Sequence, residues 1–360
     1  MVNTGEKLID KNIEYNRYIQ RKKMVIFILF VMCIIVSLYA ICAGSSGLGL
    51  KDVFNCFLGK GSMKENSIVF RIRMPRIVTS ILVGTLLAMA GCVMQSILRN
   101  PLASASTLGV SQGASFGATV GIICLGAGVQ GSVSAANAIT IYNPTVVVIC
   151  AFIGGILSAS VIMILSRFKA MGPSAMVLAG VALSALFSGG TTLVQYFADD
   201  VQVSAVVFWS FGDLGRTSWT EIGILAATTL GTFIFFICNR WNYNAMESGM
   251  NTAKSLGVNV DKVMISNMIV ASFAASIAVA FVGIISFVGL IAPHIIRKFI
   301  GSDHRYLLPA SAVTGALLLL ISDTFGRMIV APVILPIGAI TSFLGAPMFL
   351  YLLFKGVGTK

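Results

Sequence analysis

The chain has 360 residues, of which 57% are hydrophobic and only 11% are charged, and its formal net charge is +12. Because a soluble domain carries about 25% charged residues, this composition excludes an ordinary water-soluble protein. The basic surplus does not indicate a nucleic-acid-binding protein, because the Lys and Arg residues are scattered between apolar segments and do not alternate with aromatic ones.

Continuous apolar runs indicate how the chain crosses a membrane. Several runs reach the roughly 20 residues that a helix needs to span a bilayer, whereas a β-barrel would show short segments of alternating polarity. A polar stretch precedes the first run, which predicts a cytoplasmic tail over 1–23 rather than a cleaved signal peptide. The sequence therefore predicts an all-α membrane protein with one transmembrane domain over 24–360.

The apolar runs predict about ten transmembrane helices in a polytopic bundle. In chain order they cover 24–43, 76–98, 108–126, 144–166, 174–197, 220–238, 262–282, 284–300, 306–327 and 335–355. The segments between them are a polar stretch over 44–75, a loop rich in Gly, Ser, Ala and Asn over 127–143, and a polar segment over 239–261.

The distribution of the basic residues predicts the orientation. With both termini inside, most of the 25 Lys and Arg residues lie in inner segments, as the positive-inside rule requires. Most of the exceptions are in the stretch 51–76, and two further exceptions are Arg216 and Arg327. This outer basic cluster therefore requires a reason other than topology.

Motifs for catalysis or metal binding are missing from the sequence. There is no GxxxxGK[ST] phosphate loop, no HExxH and no CxxC, and the only histidines are His294 and His304. We expect no catalytic residue, no metal site and a structural role for His294. Asp323 is the main candidate for a carboxylate inside the membrane, and ion-coupled pumps usually need such groups. A secondary transporter or channel acting without an ATPase, an intramembrane enzyme and a membrane anchor remain as alternatives.

Four segments occur in an order that is typical of a known family. They are Arg73-Met74-Pro75-Arg76 with Gly84, Gly91 and Gln95; Arg99-Asn100-Pro101-Leu102-Ala103 with 108–114; 253–258; and 287–347, which contains Phe287-Val288-Gly289-Leu290-Ile291-Ala292-Pro293-His294 and Asp323…Arg327. Together they resemble the FecCD-type permeases of ABC importers for iron siderophores, haem and vitamin B12.

The resemblance implies a vitamin-B12-permease-like bundle that translocates an iron complex, or a related chelate such as cobalamin, across the cell membrane. It implies that the chain is not an enzyme and holds no cofactor, since ATP and Mg²⁺ would bind in the partner ATPase. The implied partners are two ATPase subunits, an extracytoplasmic substrate-binding protein and a second permease copy, identical or similar.

The resemblance also assigns residues to these partners. Arg73, Arg76 and Arg327 match arginines that receive glutamates of the binding protein, and guanidinium groups pair bidentately with carboxylates. Since Arg327 follows Asp323 by four residues, an ion pair within one helix is expected. The polar segment 239–261 would contact the ATPase through short helices between Glu247 and Val258, in which Ala253 and Leu256 form a small apolar face and Gly257 ends the helix. The coupling residues are Glu247, Ala253, Lys254, Ser255, Leu256 and Gly257.

The lining of the pathway is the least specific expectation. Apolar and small side chains are expected there, and the candidates are Met94, Gln95, Ser160, Leu183 and Thr191. The sequence does not indicate which helix faces point inward.

Overall fold

The computed structural model describes residues 4–44, 47–127, 143–168, 172–331 and 333–357, and this part of the chain is helical without strands. The predicted loop over 127–143 lies almost wholly outside the described residues, as do residues 1–3 of the predicted tail.

The described residues up to Ser210 form eight α-helices. They are α1 (Thr4–Cys42), α2 (Leu50–Phe57), α3 (Met63–Ser67), α4 (Met74–Ile97), α5 (Val110–Thr119), α6 (Pro144–Phe168), α7 (Pro173–Tyr196) and α8 (Asp200–Ser210). A π-helical turn, Ile68–Arg73, joins α3 to α4 so that they form one continuous rod. A second π-helical turn, Val120–Cys124, extends α5.

The second half forms seven more helices within the described residues. They are α9 (Trp219–Cys238), α10 (Arg240–Glu247), α11 (Met250–Ser255), α12 (Val260–Val282), α13 (Val288–Ile300), α14 (His304–Met328) and α15 (Ile337–Val357).

Each of the ten predicted spans coincides with a helix. Seven described helices are long and apolar enough to cross a membrane: Glu14–Cys42, Met63–Ile97, Pro144–Ser166, Ala175–Tyr196, Trp219–Cys238, Val260–Val282 and His304–Met328. The other three predicted spans correspond to the shorter helices Val110–Cys124, α13 and α15. The expectation of an all-α polytopic bundle is confirmed.

The structure differs from the expectation in three places. Helix α1 begins at Thr4, so helical structure continues through the predicted tail. Helix α8 was not predicted, and its capping box at Asp199, closed by Gln202, explains where it begins. The polar segment 239–261 becomes helical at Arg240, before the predicted start at Glu247.

Helix α4 lies at the centre of the bundle, and nearly all its side chains are buried. It approaches its neighbours at glycine pairs, because a Cβ at Gly91 would overlap the carbonyl oxygen of Gly289 in α13. A Cβ at Gly84 would likewise overlap that of Gly315 in α14. Small residues therefore let these backbones touch, as in other membrane helices.

Contacts between helix ends define two ends of the bundle. The arginine end contains Arg73, Arg76 and Arg327, where α1 and α14 finish and α4 starts. The His304 end is opposite, where α4 finishes and α14 starts. Helix α15 starts at the arginine end, since Gly338 N donates to the carbonyl oxygen of Phe211, and it runs away from that end.

Candidate docking and coupling sites

The arginine end is built around the buried carboxylate of Asp323. Arg76 Nε lies 2.8 Å from Asp323 Oδ1, and Arg327 Nε lies 3.0 Å from Asp323 Oδ2. The Asp323 side chain is only 1% exposed, and those of Arg76 and Arg327 are 9% and 8% exposed. One carboxylate thus joins the start of α4 to the end of α14, and the expected ion pair within α14 is confirmed.

The other guanidinium nitrogens of this cluster bind the end of α1. Arg327 Nη1 donates to the carbonyl oxygen of Ala43 at 3.2 Å and to that of Ala40 at 3.4 Å. Arg73 Nη1 donates to the carbonyl oxygen of Ile41. Because the last carbonyls of a helix have no partner within it, these arginines cap α1.

A second carboxylate, Asp213, reaches the cluster from the loop between α8 and α9. Asp213 Oδ1 lies 3.2 Å from Arg76 Nη1 and accepts the Gly215 N–H at 2.9 Å. The Asp213 backbone N–H donates to the carbonyl oxygen of Val282, the last residue of α12, at 2.7 Å. This loop therefore links α4 to α12.

The structure thus brings Arg73, Arg76 and Arg327 together, as the resemblance implied. It also shows that their charges are largely buried and engaged within the chain, which the sequence did not indicate beyond the Asp323–Arg327 spacing. Asp213 was missed, because a lone carboxylate in a short loop gives no signal until the fold places it beside Arg76.

The His304 end has a polar cluster that connects the predicted coupling segment to two long helices. Asn244 of α10 accepts the His304 backbone N–H at 2.8 Å, and its Oδ1 lies 2.9 Å from His304 Nδ1. The His304 Nε2 atom lies 2.5 Å from Ser96 Oγ, near the end of α4. One histidine therefore joins α10, α14 and α4.

The neighbouring Asp303 fixes the orientation of this cluster. Asn244 Nδ2 donates to Asp303 Oδ1 at 3.0 Å, so Asn244 Oδ1 faces the histidine. In the neutral ring, Nδ1–H is then the donor and Nε2 accepts from Ser96. Burial alone would raise the pKa of Asp303, but hydrogen bonds from Arg305 and Asn244 outweigh it and bring the pKa to about 2. Asp303 is therefore ionised throughout the physiological range.

Helix α10 is also anchored to α12. The Tyr243 hydroxyl donates to Asn267 Oδ1, and both side chains are completely buried. Burial raises the pKa of Tyr243, so its hydroxyl stays protonated and remains a donor. Neither this pair nor the role of His304 was found from the sequence, since the partners are far apart along the chain.

The predicted coupling residues divide into an anchored part and an exposed part. Ala253 is completely buried, so it fixes α11 to the core. It therefore does not form the exposed apolar face with Leu256 that the sequence predicted. The exposed residues are Lys254, Ser255, Leu256 and Gly257, with Leu256 68% exposed, whereas Glu247 is only half-buried.

Gly257 ends α11 as expected. Its φ is +84°, and its N–H donates to the Lys254 carbonyl while Val258 N–H donates to the Ala253 carbonyl, both at 3.0 Å. These bonds form a Schellman motif, which favours glycine at the left-handed position.

Two of the five pathway candidates lie in the interior of the subunit. Met94 and Gln95 are buried in the core of the subunit, and Gln95 Nε2 donates to the Leu290 carbonyl at 3.1 Å. Both lie on α4, which packs against α9, α12, α13 and α14, and their pathway role stays a prediction. Ser160, Leu183 and Thr191 are half-buried on α6 and α7 and stay predictions.

No group of three or more His, Cys, Asp or Glu side chains lies together among the residues that the structure describes, so we assign no metal site to them. His294 is half-buried on α13.

Comparisons with known proteins agree with this architecture over nearly the whole chain. A protein of Methanocaldococcus jannaschii described as an ABC transporter permease is 51% identical, with 95% of this chain and 97% of the relative covered. The haemin transport permease of Yersinia pestis is 34% identical, covering 94% of this chain and 98% of the relative. The Fe(3+)-citrate import permease of Bacillus subtilis is 35% identical, covering 93% and 96%. Vitamin B12 import permeases are also among the relatives.

A solved structure described as an inward-facing metal-chelate type ABC transporter has a similar fold. Its TM-score is 0.77 at 26% sequence identity, with 93% of this chain and 99% of that chain covered. The sequence profile of the FecCD transport family matches residues 30–355. The chain therefore belongs to the FecCD transport family, the permeases of ABC importers.

Proposed function

We propose that this permease imports a metal chelate, namely an iron complex such as a siderophore or haem, or a related chelate such as cobalamin. The observation that carries this proposal is full-length similarity to permeases named for haemin, Fe(3+)-citrate and vitamin B12. The metal complex is cargo, so the protein has to supply a passage and not a set of ligands.

The arginine end faces the outside in this proposal, and both termini lie inside. Support comes from the basic residues at the His304 end, because the predicted tail holds several Lys and Arg residues, the last turn of α13 holds Arg297 and Lys298, and α10 and α11 hold one basic residue each. Arg73, Arg76 and Arg327 would then receive carboxylates of an extracytoplasmic binding protein. Charged groups at such a rim steer the encounter between partners.

The His304 end would meet two cytoplasmic ATPase subunits. Lys254 and Ser255 of α11 and the following Leu256 are exposed and supply an apolar contact flanked by polar groups. Helix α10 would transmit movement of the ATPase, because Asn244 and Tyr243 connect it to α14 and α12.

A second permease copy would complete the passage. Helix α7 exposes large apolar side chains along its length, including Leu178, Leu186 and Leu193, and α15 exposes Phe343 and Phe354. Such surfaces are stable only against lipid or another apolar helix.

An ion-coupled carrier is less well supported. Such carriers use embedded carboxylates that bind and release the ion, whereas the buried Asp323 is held between two guanidinium groups. The ion pairs give this carboxylate a structural role.

Reconstitution tests the proposal. The permease would be placed in liposomes with candidate ATPase and binding-protein subunits and supplied with haemin, ferric citrate, a ferric hydroxamate or cobalamin. We expect ATP hydrolysis and uptake to rise with one of these chelates. Uptake by the permease alone without ATP, or no response to any chelate, would contradict the proposal.

A further inference from the structure

Arg76 has two carboxylate partners whose surroundings are very different. The Asp323 side chain is 1% exposed, whereas the Asp213 side chain is 47% exposed although it contacts the same guanidinium group. Arg76 therefore has one permanent partner inside the bundle and one partner that water reaches.

The energetic cost of separating the two pairs differs accordingly. Removing one partner of a buried pair is strongly destabilising, because a charge is left without compensation. Breaking the Asp213 contact costs far less, since water hydrates the freed Asp213 carboxylate and Arg76 keeps Asp323 as its partner. A carboxylate arriving from outside can therefore replace Asp213 and leaves Asp323 in position.

The loop around Asp213 allows this replacement without a change of fold. The Asp213 backbone stays bonded to Val282 in α12, so only its side chain has to turn away from Arg76. Space beside Arg76 is limited, because a Cβ at Gly215 would lie 2.7 Å from Arg76 Nη1. A second carboxylate thus competes with Asp213 for the same position.

We propose that Asp213 competes with a carboxylate of the binding protein for Arg76, and that docking displaces Asp213 from Arg76. This inference rests on the proposed docking at the arginine end and adds a residue that weakens the complex. With Asp213 in place, three arginines face two aspartates, so the competitor lowers the positive charge offered to a partner. It would favour release of the binding protein after delivery.

Asp213→Asn is the variant that tests this proposal. Asparagine removes the charge but keeps the Oδ1 acceptor for the Gly215 N–H, so the loop retains its turn. We expect the dissociation constant of the binding protein from the assembled transporter in nanodiscs to fall about two- to fivefold. Asp200→Asn is the matched control, since Asp200 is an exposed carboxylate on α8 with no ion pair among the described residues.

Arg76→Lys separates this proposal from the docking proposal. Lysine keeps a positive charge beside Asp323 but lacks the several N–H donors of the planar guanidinium group, so docking should weaken several-fold while the protein still folds. If Arg76→Lys weakens docking but Asp213→Asn behaves like Asp200→Asn, the exchange is wrong and docking at Arg76 stands. If Arg76→Lys leaves docking unchanged, the docking proposal itself is wrong.

Discussion

At the scale of single residues, Asp323 is the carboxylate around which the buried arginines Arg76 and Arg327 are arranged. The carboxylate joins α4 to α14 through Arg76 and Arg327, and Arg327 in turn caps α1. Membrane helices have little hydrophobic driving force for association once lipid surrounds them, so a polar contact between three helices contributes to holding them in register.

We predict that Asp323→Asn destabilises the protein by about 3–5 kcal/mol, because it leaves the buried Arg327 charge without a carboxylate. A lower melting temperature of the purified permease in detergent would show this effect. Asp200→Asn removes a carboxylate of equal charge from an exposed position and should leave the melting temperature almost unchanged. Equal melting of the two variants would contradict a structural role for Asp323.

At the scale of helices, close packing depends on glycine where α4 meets α13 and α14. We predict that Gly91→Ala lowers stability by about 1–3 kcal/mol or more, because the added methyl group forces α4 away from Gly289. Gly223→Ala in α9 is the control, since nothing lies within 4 Å of that position. Thermal unfolding of both variants, compared with the unaltered protein, would measure the difference.

The coupling segment gives a second prediction at this scale. Gly257→Arg should reduce chelate-stimulated ATP hydrolysis and uptake, because a large charged side chain would stand between α11 and the ATPase. Gly257→Ala imposes a similar left-handed backbone cost of about 1 kcal/mol without the bulk, so it should retain most of the coupling. Full uptake by the Gly257→Arg variant would show that α11 does not contact the ATPase.

Helices were easier to predict from the sequence than contacts between them. Hydrophobic runs identify a helix by local composition, which is why each of the ten predicted spans coincides with a described helix, seven of which are long and apolar enough to cross a membrane. The inward face of α4 and the burial of Ala253 depend on residues far away in the chain, so the sequence did not indicate that Met94, Gln95 and Ala253 are buried within the subunit. The charge distribution indicated an outer basic cluster, the family resemblance selected Arg73, Arg76 and Arg327 within it, and Asp213 was not predicted.

At the scale of the whole molecule, α4 and α14 reach from one polar cluster to the other. At the arginine end they are joined by Arg76 and Asp323, and at the His304 end by Ser96 and His304. Their long contact is tight, since Gly84 and Gly315 bring the backbones together. A displacement of α10 at the His304 end would therefore reach the arginine end as movement of a rigid pair.

This arrangement predicts that Asn244→Ala uncouples the transporter. The variant loses the contacts of α10 with His304 and Asp303, while Tyr243 still anchors the helix to α12. In the reconstituted complex, we expect basal ATP hydrolysis to persist and its stimulation by the loaded binding protein to fall several-fold, together with uptake.

Asn242→Ala is the matched control for this experiment, because the Asn242 amide bonds to Asn239 in its own segment at 3.0 Å. Asn242→Ala should retain the stimulation of ATP hydrolysis by the loaded binding protein. Normal stimulation in Asn244→Ala would mean that movement passes from α10 by another route, with the Tyr243–Asn267 contact to α12 as the next candidate. Loss of basal hydrolysis in both variants would instead indicate that α10 serves only to assemble the complex.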